Sequence, residues 1–221
     1  MKYENLSFID FGAGTGKSFG FASTYAPGNG LAIDIQEAAV AACREKDIPA
    51  EVGDILTFEG RSVSQATFAI NVLQELPGRA AFRQAMINLL RAASSYSVIQ
   101  HNYFDADGEL GRNGLFLKGN YDKKYLFKPT VGDYVEFLNT HKAALNISGM
   151  AIFAAGSVAP EAYALGSGLN GAEGAKPQPR TLRVVFGRKN VNRFRPAVVR
   201  MQYGNRIFMW EDMAQDADGE A

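Results

Sequence analysis

Asp10-Phe11-Gly12-Ala13-Gly14-Thr15-Gly16-Lys17-Ser18 lies between an apolar run, Leu6-Ser7-Phe8-Ile9, and a segment of helical character, Lys17 to Tyr25. An apolar run that ends at glycines reads as a buried strand, and the glycines read as a loop. The same pattern repeats downstream. Leu31 to Ile33 is a second strand ending at Asp34, and the Ala-rich segment Gln36 to Lys46 is helical. Ala50 to Val52 is a third strand reaching Gly53-Asp54, and Ala66 to Val72 is a fourth. Arg79 to Ala92 places Phe82, Met86, Leu89 and Leu90 on one helical face, and Tyr96 to Gln100 is a fifth strand. Alternation of this kind predicts βαβ units around a parallel sheet. The strands read as continuous apolar runs, as strands covered on both faces should.

A glycine loop between a strand and a helix turns backbone N–H groups towards a ligand. Three ligand classes compete for it. Gly16-Lys17-Ser18 matches the end of a nucleoside-triphosphate loop, but the glycine such a loop needs five residues earlier is Phe11. The later strands end in Asn71 and His101, so neither supplies an Asp for Mg²⁺. A dinucleotide fingerprint fits except for its last glycine, which falls on Lys17.

The third class fits without a departure. Asp10-x-Gly12-x-Gly14-x-Gly16 resembles motif I of the class I S-adenosylmethionine-dependent methyltransferases. Asp34 ends the second strand eighteen residues after Gly16, where that family places an acid on the ribose hydroxyls. Asn71-Val72-Leu73-Gln74-Glu75-Leu76-Pro77 is similar to the segment after strand 4 in its small-molecule members. The resemblance spans residues 6–102 in order and spacing. It implies a three-layer Rossmann-like α/β sheet of seven strands, mostly parallel, with an antiparallel last strand at 181–187 beside 149–155. It implies S-adenosylmethionine as cofactor, held by Asp10, Gly12, Gly14, Gly16, Asp34, Ile35, Asp54 and Asn71. Carboxylates suit that ligand because they accept from vicinal hydroxyls and face its cationic groups. Each has a plainer reading. Asp34 can serve as an N-cap of the helix that follows it, and Gly53-Asp54 is ordinary turn chemistry.

After residue 101 the rhythm changes. The segment 102–128 is rich in glycine and tyrosine and lacks periodicity, as does 156–180. Both read as lid or insert segments of a single domain spanning 1–210, with an unstructured acidic tail over 211–221. Thr130-x-x-Asp133 reads as a capping box that starts a helix through Lys142. Gly204-Asn205 between Val198–Tyr203 and Arg206–Trp210 reads as a hairpin turn. His101 ends the fifth strand, at the edge where open α/β sheets hold ligands, and is the candidate general base. A hydrogen-bonded structural histidine is the equal alternative. Tyr103 and Tyr121 are candidates for lining the acceptor pocket.

Composition bounds the rest. The 221 residues carry 23 basic and 23 acidic side chains, and 47% are hydrophobic, which is the ordinary globular range. No apolar run is long enough to span a membrane, and no signal-peptide pattern opens the chain, so a cytoplasmic protein is expected. Two histidines and one cysteine give no metal-site spacing. The charge is unevenly placed. Residues 176–206 hold nine basic residues and no acid, and 211–221 hold five acids. The basic stretch makes an RNA or protein acceptor the alternative to a small molecule, and tail and stretch can equally neutralise each other. A non-catalytic cofactor-binding or regulatory protein on the same fold is the reading from another class.

Overall fold

The computed structural model describes residues 3, 5–105, 115–117, 125–155, 163–165, 181–188 and 204–211; at 115–117, 154–155, 163–165 and 204–211 the backbone alone is described. The first half follows the expected alternation. Strand β1 (Leu6–Phe11) leads through the glycine loop into α1 (Lys17–Tyr25). Then come β2 (Gly30–Asp34), α2 (Glu37–Arg44), β3 (Ala50–Val52), β4 (Ser64–Ile70), a 3₁₀ turn (Leu73–Glu75), α3 (Arg79–Ala92) and β5 (Ala93–Asn102). These five strands are parallel, in the order β3-β2-β1-β4-β5. The order reverses between β1 and β4, so a crevice opens at the carboxyl ends of those strands.

The second half completes the sheet. Helix α4 (Val131–His141) precedes β7 (Ile147–Ala155), followed by β9 (Thr181–Arg188) and β10 (Gly204–Glu211). Strand β9 inserts between β5 and β7, antiparallel to both, so the expected antiparallel strand is present beside 149–155. Two expectations are corrected. Gly204-Asn205 are not a turn: they open β10, which pairs along the outer side of β7 as an eighth strand and carries Glu211 as its last residue. The two insert segments are not wholly irregular either. Within them β6 (Leu115–Leu117) and β8 (Tyr163–Leu165) pair with each other as a small antiparallel sheet. Tyr121 and residues 212–221 lie outside the described residues.

Helices cover both faces of the sheet. On one face α3 and α4 pack Phe82, Met86, Leu89, Tyr134 and Phe137 against Ile9, Phe11, Ile99, Val184 and Phe186. On the other, α1 contributes Ala22 and Phe21 over Phe8, Phe68, Val98 and Val185, and α2 sets Val40 and Cys43 against Ala32. Alternate residues of each strand feed opposite layers, which gives the continuous apolar runs seen in the sequence. The capping box of α4 forms as read: Thr130 Oγ1 accepts from the Asp133 amide while Asp133 Oδ2 accepts from the Thr130 amide. Among the described residues, no helix is long and apolar enough to cross a membrane.

Candidate functional site

The three glycines of the loop have separate jobs. All have positive φ, +66° at Gly12, +53° at Gly14 and +89° at Gly16, a region that favours glycine. A Cβ on Gly12 would lie 2.4 Å from a Val72 methyl, and one on Gly16 would lie 2.5 Å from Ile48 Cδ1. Those two positions are closed by packing. A Cβ on Gly14 would meet nothing within 4 Å. The loop therefore turns Gly14 towards open space and braces its other side. Gly14's carbonyl accepts from Cys43 Sγ at 3.2 Å, and the Thr15 carbonyl accepts from Lys46 Nζ at 2.6 Å.

Two carboxylates flank this point. Asp34 Oδ2 accepts from the Gly14 amide at 2.8 Å, and its Oδ1 accepts from the Gln36 amide at 2.9 Å. Each oxygen keeps a lone pair for a further donor. Asp34 thus ties the loop to the entry of α2, but the N-cap of that helix is Gln36, not Asp34. Ile35, the next residue, is 64% exposed although large and apolar. Asp10 is fully buried at the end of β1. Its Oδ2 accepts from Ser18 Oγ at 2.6 Å, and its Oδ1 is buried without a partner among the described residues. Burial pushes its pKa up to about 7, Ser18 opposes that shift, and the charge on Asp34 adds to it. Ser18 was read from the sequence as part of a coincidental match. Its position in the first turn of α1, one residue after Lys17, is what lets it reach back to the strand.

Asp54 is less central. Its Oδ1 accepts from the Leu56 amide at 2.8 Å, the turn contact expected of a Gly-Asp pair. The preceding residue, Gly53, donates its amide to the Asp34 carbonyl at 3.0 Å, which sets Asp54 beside Asp34. A cavity of about 530 Å³ opens against Asp54, Tyr3, Phe58 and Arg61, but no residue of the glycine loop lines it. Asn71 adopts φ +61°, which asparagine tolerates, and donates its amide to the Gln100 carbonyl at 2.7 Å.

At the end of β5 the arrangement is closed. His101 is 1% exposed, and both ring nitrogens are used. Nδ1 lies 2.6 Å from the Asn102 carbonyl, which only accepts, so this nitrogen carries the proton. Nε2 then accepts from Tyr134 Oη at 2.7 Å. Phe104 and Tyr134 stack on the imidazole with interplanar angles of 18° and 15°. Burial lowers the pKa to about 4, against the opposing effects of the Asn102 contact and the charge of Asp133. This geometry is that of the hydrogen-bonded structural histidine, the alternative to the general-base reading. Tyr103 is half-buried and packs on the α3–α4 core. Gln74, Val72 and Tyr134 were missed in the sequence. Gln74 Oε1 accepts from the Asn102 amide at 3.2 Å, tying the segment after β4 to the end of β5.

Solved structures share this fold. A methyltransferase from Archaeoglobus fulgidus superposes with a TM-score of 0.61 at 11% identity, covering 84% of this chain and 86% of that one. The fold is that of the class I S-adenosylmethionine-dependent methyltransferases. A magnesium protoporphyrin IX methyltransferase from Synechocystis with bound S-adenosylhomocysteine gives 0.54 at 14% identity, covering 84% and 75%. A small-RNA methyltransferase gives 0.55 at 15% identity; the match covers 95% of this chain and 25% of that protein. No family model matches the sequence, and no curated protein matches it at a significant level.

Proposed function

We propose that the chain binds S-adenosylmethionine and transfers its methyl group to a small-molecule acceptor. The observation that carries this reading is the open space over Gly14, whose amide is held by Asp34, with the partnerless buried oxygen of Asp10 at the end of the strand that leads into the loop. A phosphate ligand is a poor match for a cradle flanked by two carboxylates. A nucleoside with vicinal hydroxyls and a cationic methionyl part is a good one. Asp34 would take the ribose hydroxyls, Ile35 and Asp54 the adenine, and Gly12, Gly14 and Asp10 the methionyl part, with Asn71 and Gly16 at the borders of the site.

When bound, the cofactor supplies an activated methyl on a sulfonium, open to in-line displacement. The chain's own contribution is to hold and to exclude. Asp10 keeps its proton up to about pH 7 while no cation faces it, and gives it up when one does. The end of β5 offers no free imidazole, so catalysis rests on positioning and on exclusion of water. The segments around β6 and β8 are the candidates for that exclusion, with Tyr103 at their start and Tyr121 within them. A small acceptor is favoured over RNA because two residues of the basic stretch turn inward. Arg183 contacts Gln100, and Arg188 contacts the end of α3.

Calorimetry on the purified chain tests the reading. S-adenosylmethionine and S-adenosylhomocysteine should bind without Mg²⁺, with weaker binding as pH falls through about 7, because Asp10 must then release its proton. Tight ATP·Mg²⁺ binding with no response to either methionyl nucleoside overturns it. RNA binding with a steep salt dependence would move the acceptor from small molecule to nucleic acid.

A further inference from the structure

Arg183 and Arg188 leave the same strand, and burial pushes both guanidinium pKa values down. Their surroundings differ. Arg188 Nη1 donates to the Leu90 and Ala93 carbonyls at 2.8 and 2.7 Å. Those carbonyls close α3, where partial negative charge collects, so this cation is compensated. Arg183 has no such partner. Its Nε donates to Gln100 Oε1 at 2.9 Å, and Nη2 donates to the same oxygen. Its guanidinium carbon lies 4.7 Å from the centre of the Phe21 ring and 5.9 Å from that of Tyr25. Every one of these groups is neutral. Arg183 is 8% exposed, and no carboxylate pairs with it among the described residues. A buried cation without a counter-charge is costly; the Gln100 oxygen takes two of its five N–H donors, and the Tyr25 side chain is its other hydrogen-bond partner.

Its place in the sheet says where a counter-charge would come from. Strand β9 runs against β5, so Arg183, near its start, sits at the carboxyl ends of the parallel strands. Ile70, Gln100 and Arg183 form one cross-strand row. The row through Asp10 runs Asp10, Phe68, Val98, Val185, so Arg183 lies on the same face, two residues nearer the crevice. Gln100, which orients the guanidinium, also accepts the Asn71 amide through its carbonyl. Two strand spacings, roughly 10 Å, separate β9 from β4. That is the side of the crevice away from Asp34.

We propose that Arg183 receives an anionic group, a carboxylate or a phosphate, of the methyl acceptor. Gln100 fixes the plane of the guanidinium, and Phe21 and Tyr25 support its face. A planar fork held in this way presents its remaining donors to a planar or tetrahedral oxyanion. The proposal rests on the methyltransferase reading and narrows it to small acceptors that carry negative charge.

The test uses the full chain labelled with ¹⁵N-arginine and saturated with S-adenosylhomocysteine. Sodium acetate and then inorganic phosphate are titrated against it, with sodium chloride at matched ionic strength as control. The Arg183 Nε–H signal, assigned by its loss in Arg183→Gln, should move saturably with acetate or phosphate and not with chloride. The Arg188 signal should stay. Arg183→Lys, which keeps the charge but loses the fork, should weaken the anion's stabilisation of the protein about tenfold in apparent affinity. If the nucleoside binds and the Arg183 signal does not move saturably, the anion site is overturned while the methyltransferase reading stands. If neither nucleoside binds, that reading falls and the proposal with it. A third result also overturns it. It is a shift of the Arg183 signal, with no anion added, when Glu211, Asp212, Asp216, Asp218 and Glu220 are replaced by their amides; the counter-charge would then be the chain's own tail.

Discussion

At the carboxyl ends of β1 and β2 polar groups are left with unused capacity; around His101, at the carboxyl end of β5, they are used up. Asp10 keeps a buried oxygen without a partner, and Gly14 faces open space. Across the crevice, His101 has a partner for each nitrogen, and the Asn71 and Asn102 amides are taken by Gln100 and Gln74. Buried polar capacity is expensive to leave unmet, so it persists where a ligand meets it. The first region is built to be completed from outside. Around His101 the second is complete and forms a rigid wall; Arg183, on the neighbouring strand β9, is the group there without a counter-charge among the described residues.

Titration should separate the two regions most sharply. Asp10 binds its proton up to about pH 7 in the folded chain and only to about 3.8 when unfolded. Between those values the folded state holds the extra proton, so this residue makes stability fall as pH rises. His101 behaves in the opposite way. It stays neutral down to about pH 4 when folded but charges near 6.5 when unfolded, so it makes stability fall as pH falls. In the shared window, about pH 4 to 6.5, each contributes about 1.4 kcal/mol per pH unit with opposite sign, and the slopes cancel. Asp10→Asn should therefore gain up to about 4 kcal/mol at pH 7 and expose a stability that drops towards acid. His101→Gln should expose the reverse slope. Urea unfolding at several pH values reads both. Parallel slopes in the two variants would show that the residues are not in the states the geometry implies.

The next effect concerns ligand affinity alone. Asp34→Ala removes an acceptor of the Gly14 amide together with the proposed ribose contact, and should weaken S-adenosylhomocysteine binding by roughly 1.5–3 kcal/mol. Gly14→Val should weaken it at least as much, by filling the open space and by forcing a β-branched side chain to φ +53°. His101→Gln should leave it unchanged within about twofold. Calorimetry that found normal binding in Asp34→Ala and weak binding in His101→Gln would invert the comparison.

How much of this the sequence carried depends on distance along the chain. The glycine loop, the place of Asp34 at the end of β2 and the parallel alternation of the first five strands follow from spacing and periodicity within about ninety residues, and the structure has them. The capping box at Thr130 was legible for the same reason: its two partners are three residues apart. The closure of His101 was not. Its hydrogen-bond partner Tyr134 is 33 residues away on α4, and nothing local distinguishes a histidine that meets a hydroxyl from one that meets an acceptor. The surroundings of Arg183 were not legible for a related cause: β9 is an inner strand between β5 and β7, and only the sheet order shows it. Gly204-Asn205 has hairpin chemistry in a strand whose partner, β7, lies some fifty residues earlier in the chain.

The smallest effect asks whether the wall at β5 is inert. Tyr134→Phe keeps the ring that stacks on His101 and removes only the hydroxyl that donates to Nε2. The imidazole is then left with a buried acceptor and no donor, which costs about 1–2 kcal/mol in urea unfolding. Affinity for S-adenosylhomocysteine should not change, since the cradle at Gly14 has no contact with this pair. Once an acceptor is in hand, turnover in this variant should stay within about twofold of the parent, because a group that only stiffens the wall does not meet the reacting atoms. A fall in turnover of tenfold or more, at a pH and temperature where the variant is fully folded, would mean that the Tyr134–His101 pair takes part in the chemistry. The division between an end left open for a ligand and an end already complete would then fail.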